Sequence, residues 1–212
     1  GTAIVTIEGK GKFEGLFVCN GTRSSAVAQE ESCTPVVNAV SFADDDWSTI
    51  VSAVQSGNHP YQVGNIKTIE MDIDKNGEVE TYTIRVSNTT SCSEEWKKDV
   101  TKSQTACGFV LEFADVISTH NMNPAGEYNG TQYNYGYNLG GWPNTKMRQY
   151  LNDIDAEDEE DGVIYNSLPE KLKEGIIDTY VVSSDRSSDE GTIGENKNFR
   201  SIDKLYLLSI EE

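Results

Sequence analysis

The sequence predicts an α+β fold with antiparallel sheet and two to three short helices. Three observations point there. Stretches with helical periodicity and capping residues are interspersed with runs that alternate apolar and polar residues. Several of these runs are joined by short glycine- and asparagine-containing turns, which favour antiparallel hairpins over parallel crossovers. The 212 residues, 36% hydrophobic and 25% charged, suffice for one sizeable domain or for one domain plus a small appendage.

Taken in order, "TAIVTIEGKGKFEGLFVCNG" alternates and carries glycine turns, so it predicts two or three short strands. "TRSSAVAQEESCTP" is a polar loop. Residues 1–40 are read as a small β appendage or as N-terminal strands of the main domain, and residues 45–212 as that domain. "FADDDWSTIVSAVQSG" is the first helix. Asp44, Asp45 or Asp46 caps it, Trp47, Ile50, Val51 and Val54 share a face, and Gly57 stops it. "IKTIEMDI" and "EVETYTIRVS" are strands. A cysteine-bounded polar loop, "SCSEEWKKDVTKSQTAC", leads to "GFVLEFADVI", read as a buried strand. A long Asn/Tyr/Gly loop spans residues 121–142. "PNTKMRQYLND" is a helix starting at Pro143 or Asn144, with Met147, Tyr150 and Leu151 on one face. After the acidic loop "IDAEDEEDG", "NSLPEKLKEGIID" is a helix with Ser167 and Glu170 as a capping box and Leu168, Leu172 and Ile176 inward. "TYVVSS" and "IDKLYLLSI" are strands. No internal repeat is present.

Charge narrows the function classes. Seventeen basic against thirty-five acidic residues give a net charge of −18. Such a surface repels phosphate backbones and anionic lipid, which argues against nucleic-acid and membrane-surface partners. No apolar run approaches the ~20 residues of a membrane-spanning helix. The start at Gly1-Thr2-Ala3, with no signal segment visible, is read as a chain from which a secretion or anchoring segment was removed.

The four cysteines, Cys19, Cys33, Cys92 and Cys107, allow three pairings. The local one, Cys19–Cys33 with Cys92–Cys107, closes two loops of about fifteen residues, each worth about 3 kcal/mol; free buried thiols are the alternative. Disulfides imply an oxidising compartment outside the cytoplasm.

No zinc spacing, nucleophile elbow, HExxH motif, P-loop or other cofactor motif occurs. A catalytic triad would have to use His59 or His120; His120 follows a strand and is the better candidate, against a plain structural role. The chain is therefore not read as an enzyme; a hydrolytic one, with His120 or the acidic run carrying the chemistry, is the least favoured of three readings.

"MDIDKNGEVE" looks like the first half of a calcium loop through Asp72, Asp74 and Asn76. Its twelfth position is Thr83, where a bidentate Glu belongs, and its flanks alternate with period two. A hairpin turn is the favoured reading, with Asn76-Gly77 supplying positive φ and pairing Met71–Ile73 with Val79–Thr83. The acidic run Asp153–Asp161 is a second calcium candidate against a solvated face.

Tyr128, Tyr133, Tyr135 and Tyr137, with Trp142 closing the loop, are residue types that stack on sugars or bind protein surfaces. They form the candidate ligand-binding surface; an Ω-loop covering the core is the alternative.

From Trp47 onward the order of segments, including "WSTIVSAVQSG", "SQTACGFVLEFADVISTHNMN", "GGWPNTKMRQYLN" and "DKLYLLSIEE", resembles the uncharacterised domain-of-unknown-function family 6273 over about residues 45–212. The resemblance implies a secreted or surface-anchored protein of gut Firmicutes with no assigned chemistry. The family's regular marks fall on Met122, Asn123, Gly140, Gly141, Trp142, Arg148, Leu151 and Asn152, then on Leu168, Pro169, Asp203, Lys204, Leu207, Leu208 and Ser209. Most read as fold-determining. Family members continue into a further segment, so the resemblance implies that this chain lacks a C-terminal part. That further segment of the family loosely resembles C-type-lectin-like and formylglycine-enzyme-like domains, so the resemblance implies a fold that is C-type-lectin-like in part.

These readings combine into an extracellular or cell-surface recognition or adhesion domain whose partner is a glycan or a host or bacterial surface protein. A pilin-like or structural surface-assembly subunit is the alternative.

Overall fold

The computed structural model of the chain describes residues 38–122, 141–154, 161–184 and 198–207, together with the backbone of 17–19, 33–35, 126–128 and 131–133. The fold is α+β. Two short strands, β1 (Phe17–Cys19) and β2 (Cys33–Pro35), pair antiparallel with Cys19 opposite Cys33.

Helix α1 (Trp47–Gln55) is capped by Asp46, whose carboxylate accepts the Thr49 amide at 2.7 Å, and Gly57 (φ 69°) follows its end. It buries Ile50 and Ala53. A three-stranded antiparallel sheet comes next, ordered β3 (Ile66–Met71), β4 (Glu80–Asn88), β5 (Val110–Phe113). Its inner face buries Ile69, Met71, Ile84 and Val86. Its outer face carries the Arg85–Glu112 ion pair. The segment read as one buried strand from Gly108 to Ile117 is a strand only over Val110–Phe113, half-buried, at the edge of the sheet.

The β3–β4 connection is longer than a two-residue hairpin turn, because pairing stops at Met71–Glu80. Positive φ falls on Lys75 (55°) and Gly77 (89°), not on Asn76. Asp72 organises the loop, accepting the amides of Asn76 and Gly77 at 3.1 and 2.9 Å. Such carboxylate-to-amide bonding substitutes for a tight turn.

The cysteine-bounded loop contains a helix, α2 (Glu94–Lys98), capped by Ser93. The Cys92–Cys107 disulfide closes it, with Cα atoms 4.9 Å apart. The Trp96 indole donates to Ser103 O at 2.7 Å, so the loop folds on its own aromatic side chain.

Part of the stretch read as an irregular loop forms a ribbon of β6 (Gly126–Tyr128) and β7 (Thr131–Tyr133). A 3-10 turn (Trp142–Asn144) precedes α3 (Lys146–Leu151). The α-helix begins later than Pro143 or Asn144, because Thr145 Oγ1 is the group that caps it, accepting the Arg148 amide at 3.1 Å. The expected single helix after the acidic loop is two: α4 (Val163–Ser167) and α5 (Glu170–Lys173). Pro169 lacks an amide hydrogen and drives Leu168 into extended backbone (ψ 149°). Ser167 therefore ends α4, donating to Val163 O and Asp72 O, and forms no capping box with Glu170.

Strands β8 (Thr179–Ser184) and β9 (Asn198–Asp203) pair antiparallel. Among the described residues, the strand expected over "IDKLYLLSI" lies earlier and ends at Asp203, while residues 208–210 of that stretch fall outside them. One core unites the halves of the chain: Phe42, Ile50, Tyr61, Ile69, Met71 and Val86 pack with Ile164, Leu168 and Leu172. Close approach of α1 to the end of α5 depends on Gly175, where a Cβ would stand 3.0 Å from Val51 Cγ1.

Candidate functional site

An apolar groove of about 950 Å³ runs between α1, β5 and the segments after α5 and β9. That volume sits at the upper end of the roughly 300–1,000 Å³ typical of ligand pockets. Helix α1 contributes Trp47, Val51 and Val54. Phe109, Leu111, Phe113 and Ile117 come from β5 and its flanks. Helices α4 and α5 and the chain beyond them add Ile164, Leu172 and Ile176. Leu205 and Leu207 come from the segment after β9.

Three lining side chains are large, apolar and open to water: Val116 is 86% exposed, Ile177 74% and Leu207 43%. Covering such apolar side chains is favourable, at roughly 25 cal/mol per Å² removed from water.

The polar groups of the lining are few. Ser118 Oγ and Tyr150 OH share a hydrogen bond at 2.7 Å. His120 stacks on the Tyr150 ring, centroids 4.4 Å apart, and its Nδ1 lies 2.6 Å from Asn121 O. Arg85 pairs with Glu112, and Lys204 pairs with Asp178 at 3.0 Å.

A buried polar knot holds one wall of the groove in place. The Asp203 carboxylate is fully buried and accepts three donors: Trp142 Nε1 at 2.7 Å, Arg148 Nε at 2.6 Å and Ser201 Oγ at 2.6 Å. Arg148 also donates through Nη1 to Pro143 O at 3.2 Å. Asn152, 2% exposed, accepts the amides of Lys204 and Leu205 at 2.9 and 2.8 Å and donates to Arg148 O and Leu205 O. Both faces of its carboxamide are used, so Leu205 is fixed by its own backbone. Gly141 (φ 66°) is needed here as well: a Cβ would meet the Phe199 ring and stand 2.9 Å from Ser183 Oγ.

The residues singled out from sequence distribute unevenly around these two features. Trp142 is 6% exposed and turned into the knot, so its indole serves packing and a hydrogen bond inside the protein. Tyr128 and Tyr133 lie in β6 and β7, while Tyr135 and Tyr137 fall outside the described residues. His120 is in the groove lining, whereas His59 stacks on Tyr61 and meets Phe109 edge to face. Asp72, Asp74 and Asn76 direct their side-chain oxygens at loop amides. Among the described residues no group of three or more His, Cys, Asp or Glu is placed to hold a metal ion. Of the acidic run, residues 155–160 fall outside the described residues, and Asp161 accepts the Ile154 amide at 2.7 Å. The groove itself escaped sequence reading: its lining residues read there as ordinary core positions on amphipathic elements.

The knot is built from residues of the C-terminal part alone. Residues 113–212 match the domain of unknown function DUF6273. No curated protein and no solved structure matches the chain. The DUF6273 match starts within β5, later than the resemblance from residue 45 suggested. It contains the whole knot, whereas α1, β3 and β4 lie before it and share its core. The groove therefore lies where the part that matches DUF6273 meets the preceding segment.

Proposed function

We propose that this chain is a recognition domain, working in an oxidising extracellular or cell-surface setting, that binds an apolar ligand in the groove between α1, β5 and the segment after β9. The observation that carries this reading is the open apolar rim of Val116, Ile177 and Leu207 around a cavity of about 950 Å³. Adhesion through this surface replaces contact through the tyrosine-rich loop as the favoured arrangement. The Cys92–Cys107 disulfide supports the setting, since such bonds persist outside the reducing cytoplasm. Binding rather than catalysis is favoured because Ser118 shares its hydrogen bond with a tyrosine and His120 presents a ring face to that same tyrosine.

The neutral fluorophore N-phenyl-1-naphthylamine tests the reading. Saturable enhancement is expected with the full chain. Val116→Glu and Ile177→Glu, at exposed positions, should weaken it by at least about tenfold while leaving the circular dichroism spectrum unchanged. Absence of saturable binding, or indifference to both substitutions, would refute the groove as a site.

A further inference from the structure

We infer that the natural occupant of the groove is an extended segment of a partner protein, apolar at alternate positions and flanked by basic residues, that adds as a strand to the outer edge of β5. The inference rests on the recognition reading above and names its ligand class.

The backbone of β5 supplies the first argument. Ala114 donates to Thr83 O of β4 at 2.9 Å. Antiparallel alternation then turns the N–H and C=O groups of Phe113 and Leu111 away from β4. Among the described residues none pairs with them. A row of such groups is a template for another strand.

Register supplies the second. Phe113 stands opposite Ile84 and Leu111 opposite Val86, so both side chains share the face of those buried residues and line the groove. A strand bonded to this edge would set its own alternate side chains over the cavity and cover Val116.

The two edges of the sheet differ in protection. β3 carries Lys67, whose Nζ is tied to Ala43 O and Asp45 O at 3.0 and 2.7 Å, and Glu70. Charged side chains on an edge strand discourage pairing. β5 reads Val-Leu-Glu-Phe, and its one charge, Glu112, is engaged by Arg85.

Charge selects the partner. The chain carries −18, so a second copy is repelled. Lys204 in the lining is already paired with Asp178, and Arg85 is paired with Glu112 on the outer face of the sheet, while the exposed lining residue Asp115 has no ion-pair partner among the described residues. Basic flanks on the incoming strand are therefore favoured and acidic ones opposed. A lipid-like amphiphile would fill the cavity but leave the backbone groups of Leu111 and Phe113 unbonded.

The test uses the isotope-labelled full chain and the synthetic peptide acetyl-KITVTIK-amide. Its controls are the same peptide N-methylated at the valine and isoleucines, and acetyl-EITVTIE-amide. The lysine-flanked peptide should slow exchange of the Leu111 and Phe113 amides by at least about tenfold, and both controls should bind at least about tenfold more weakly. Equal binding by either control would overturn the proposal. So would protection of those two amides in the free monomer, which would mean the chain fills its own edge, or a concentration-dependent dimer, which would make a second copy the occupant. Fluorophore binding without peptide binding would sink strand addition and leave the recognition reading intact. Loss of both would remove the two together.

Discussion

Asp203 and Leu205 stand two residues apart, yet the regions they serve are completed to different degrees. Around Asp203, a fully buried carboxylate has three donors and Asn152 uses both ends of its carboxamide. Around Leu205, apolar side chains face a cavity of about 950 Å³, and Val116 and Ile177 remain in water. A saturated polar network is expensive to disturb and holds one geometry. An open apolar surface contributes little to the free chain and becomes favourable only when something covers it. The knot is therefore architecture, and the groove it helps to position is the place to look for function.

Removing the centre of the knot should have the largest effect. Asp203→Ala strands the Arg148 guanidinium and the Trp142 indole in the interior, and about 3–5 kcal/mol of stability should be lost in urea denaturation. Opening the Cys92–Cys107 loop comes next. The double Cys92→Ala/Cys107→Ala variant should lose about 3 kcal/mol, read from the same transitions under non-reducing conditions.

Asp46→Ala, which removes the α1 cap beside the groove, should cost about 1 kcal/mol at neutral pH. Its dependence on pH has a defined sign. Hydrogen bonds from the Thr49 amide and then its hydroxyl hold the Asp46 carboxyl below its ordinary value of 3.8. A depressed folded value means the contribution is present above 3.8 and lost as the pH falls through the folded value, so wild type and variant should converge in acid. Smallest of all, Val116→Ser and Ile177→Ser should shift stability by no more than about 0.5 kcal/mol. A large loss at either position would show that the rim is load-sharing core and break the contrast between the two regions.

Much of the fold was legible in local pattern. The α1 cap at Asp46, the β3 and β4 strands and the Cys92–Cys107 pairing follow from side-chain chemistry within a few residues. The hairpin of β6 and β7 was legible in principle, since Asn-Gly lies between the paired Tyr128 and Thr131. The break at Pro169 was legible too, because proline restricts the residue before it, but capping-box spacing masked that signal. Trp142 illustrates what pattern cannot supply. It sits in a stretch rich in exposed-type residues, and only the distant Asp203 takes it inside. The groove was hidden for a related reason: Val51, Leu111, Ile176 and Leu205 come from four separate segments, and each reads alone as core. Only their arrangement distinguishes a filled interior from an open one.

Amide hydrogen exchange of the free full chain compares the two regions in a single experiment. Slow exchange is expected at Lys204 and Leu205, whose amides are held by buried Asn152, and fast exchange at Leu111 and Phe113 on the open edge of β5. Equal protection of all four in the free monomer would contradict this expectation.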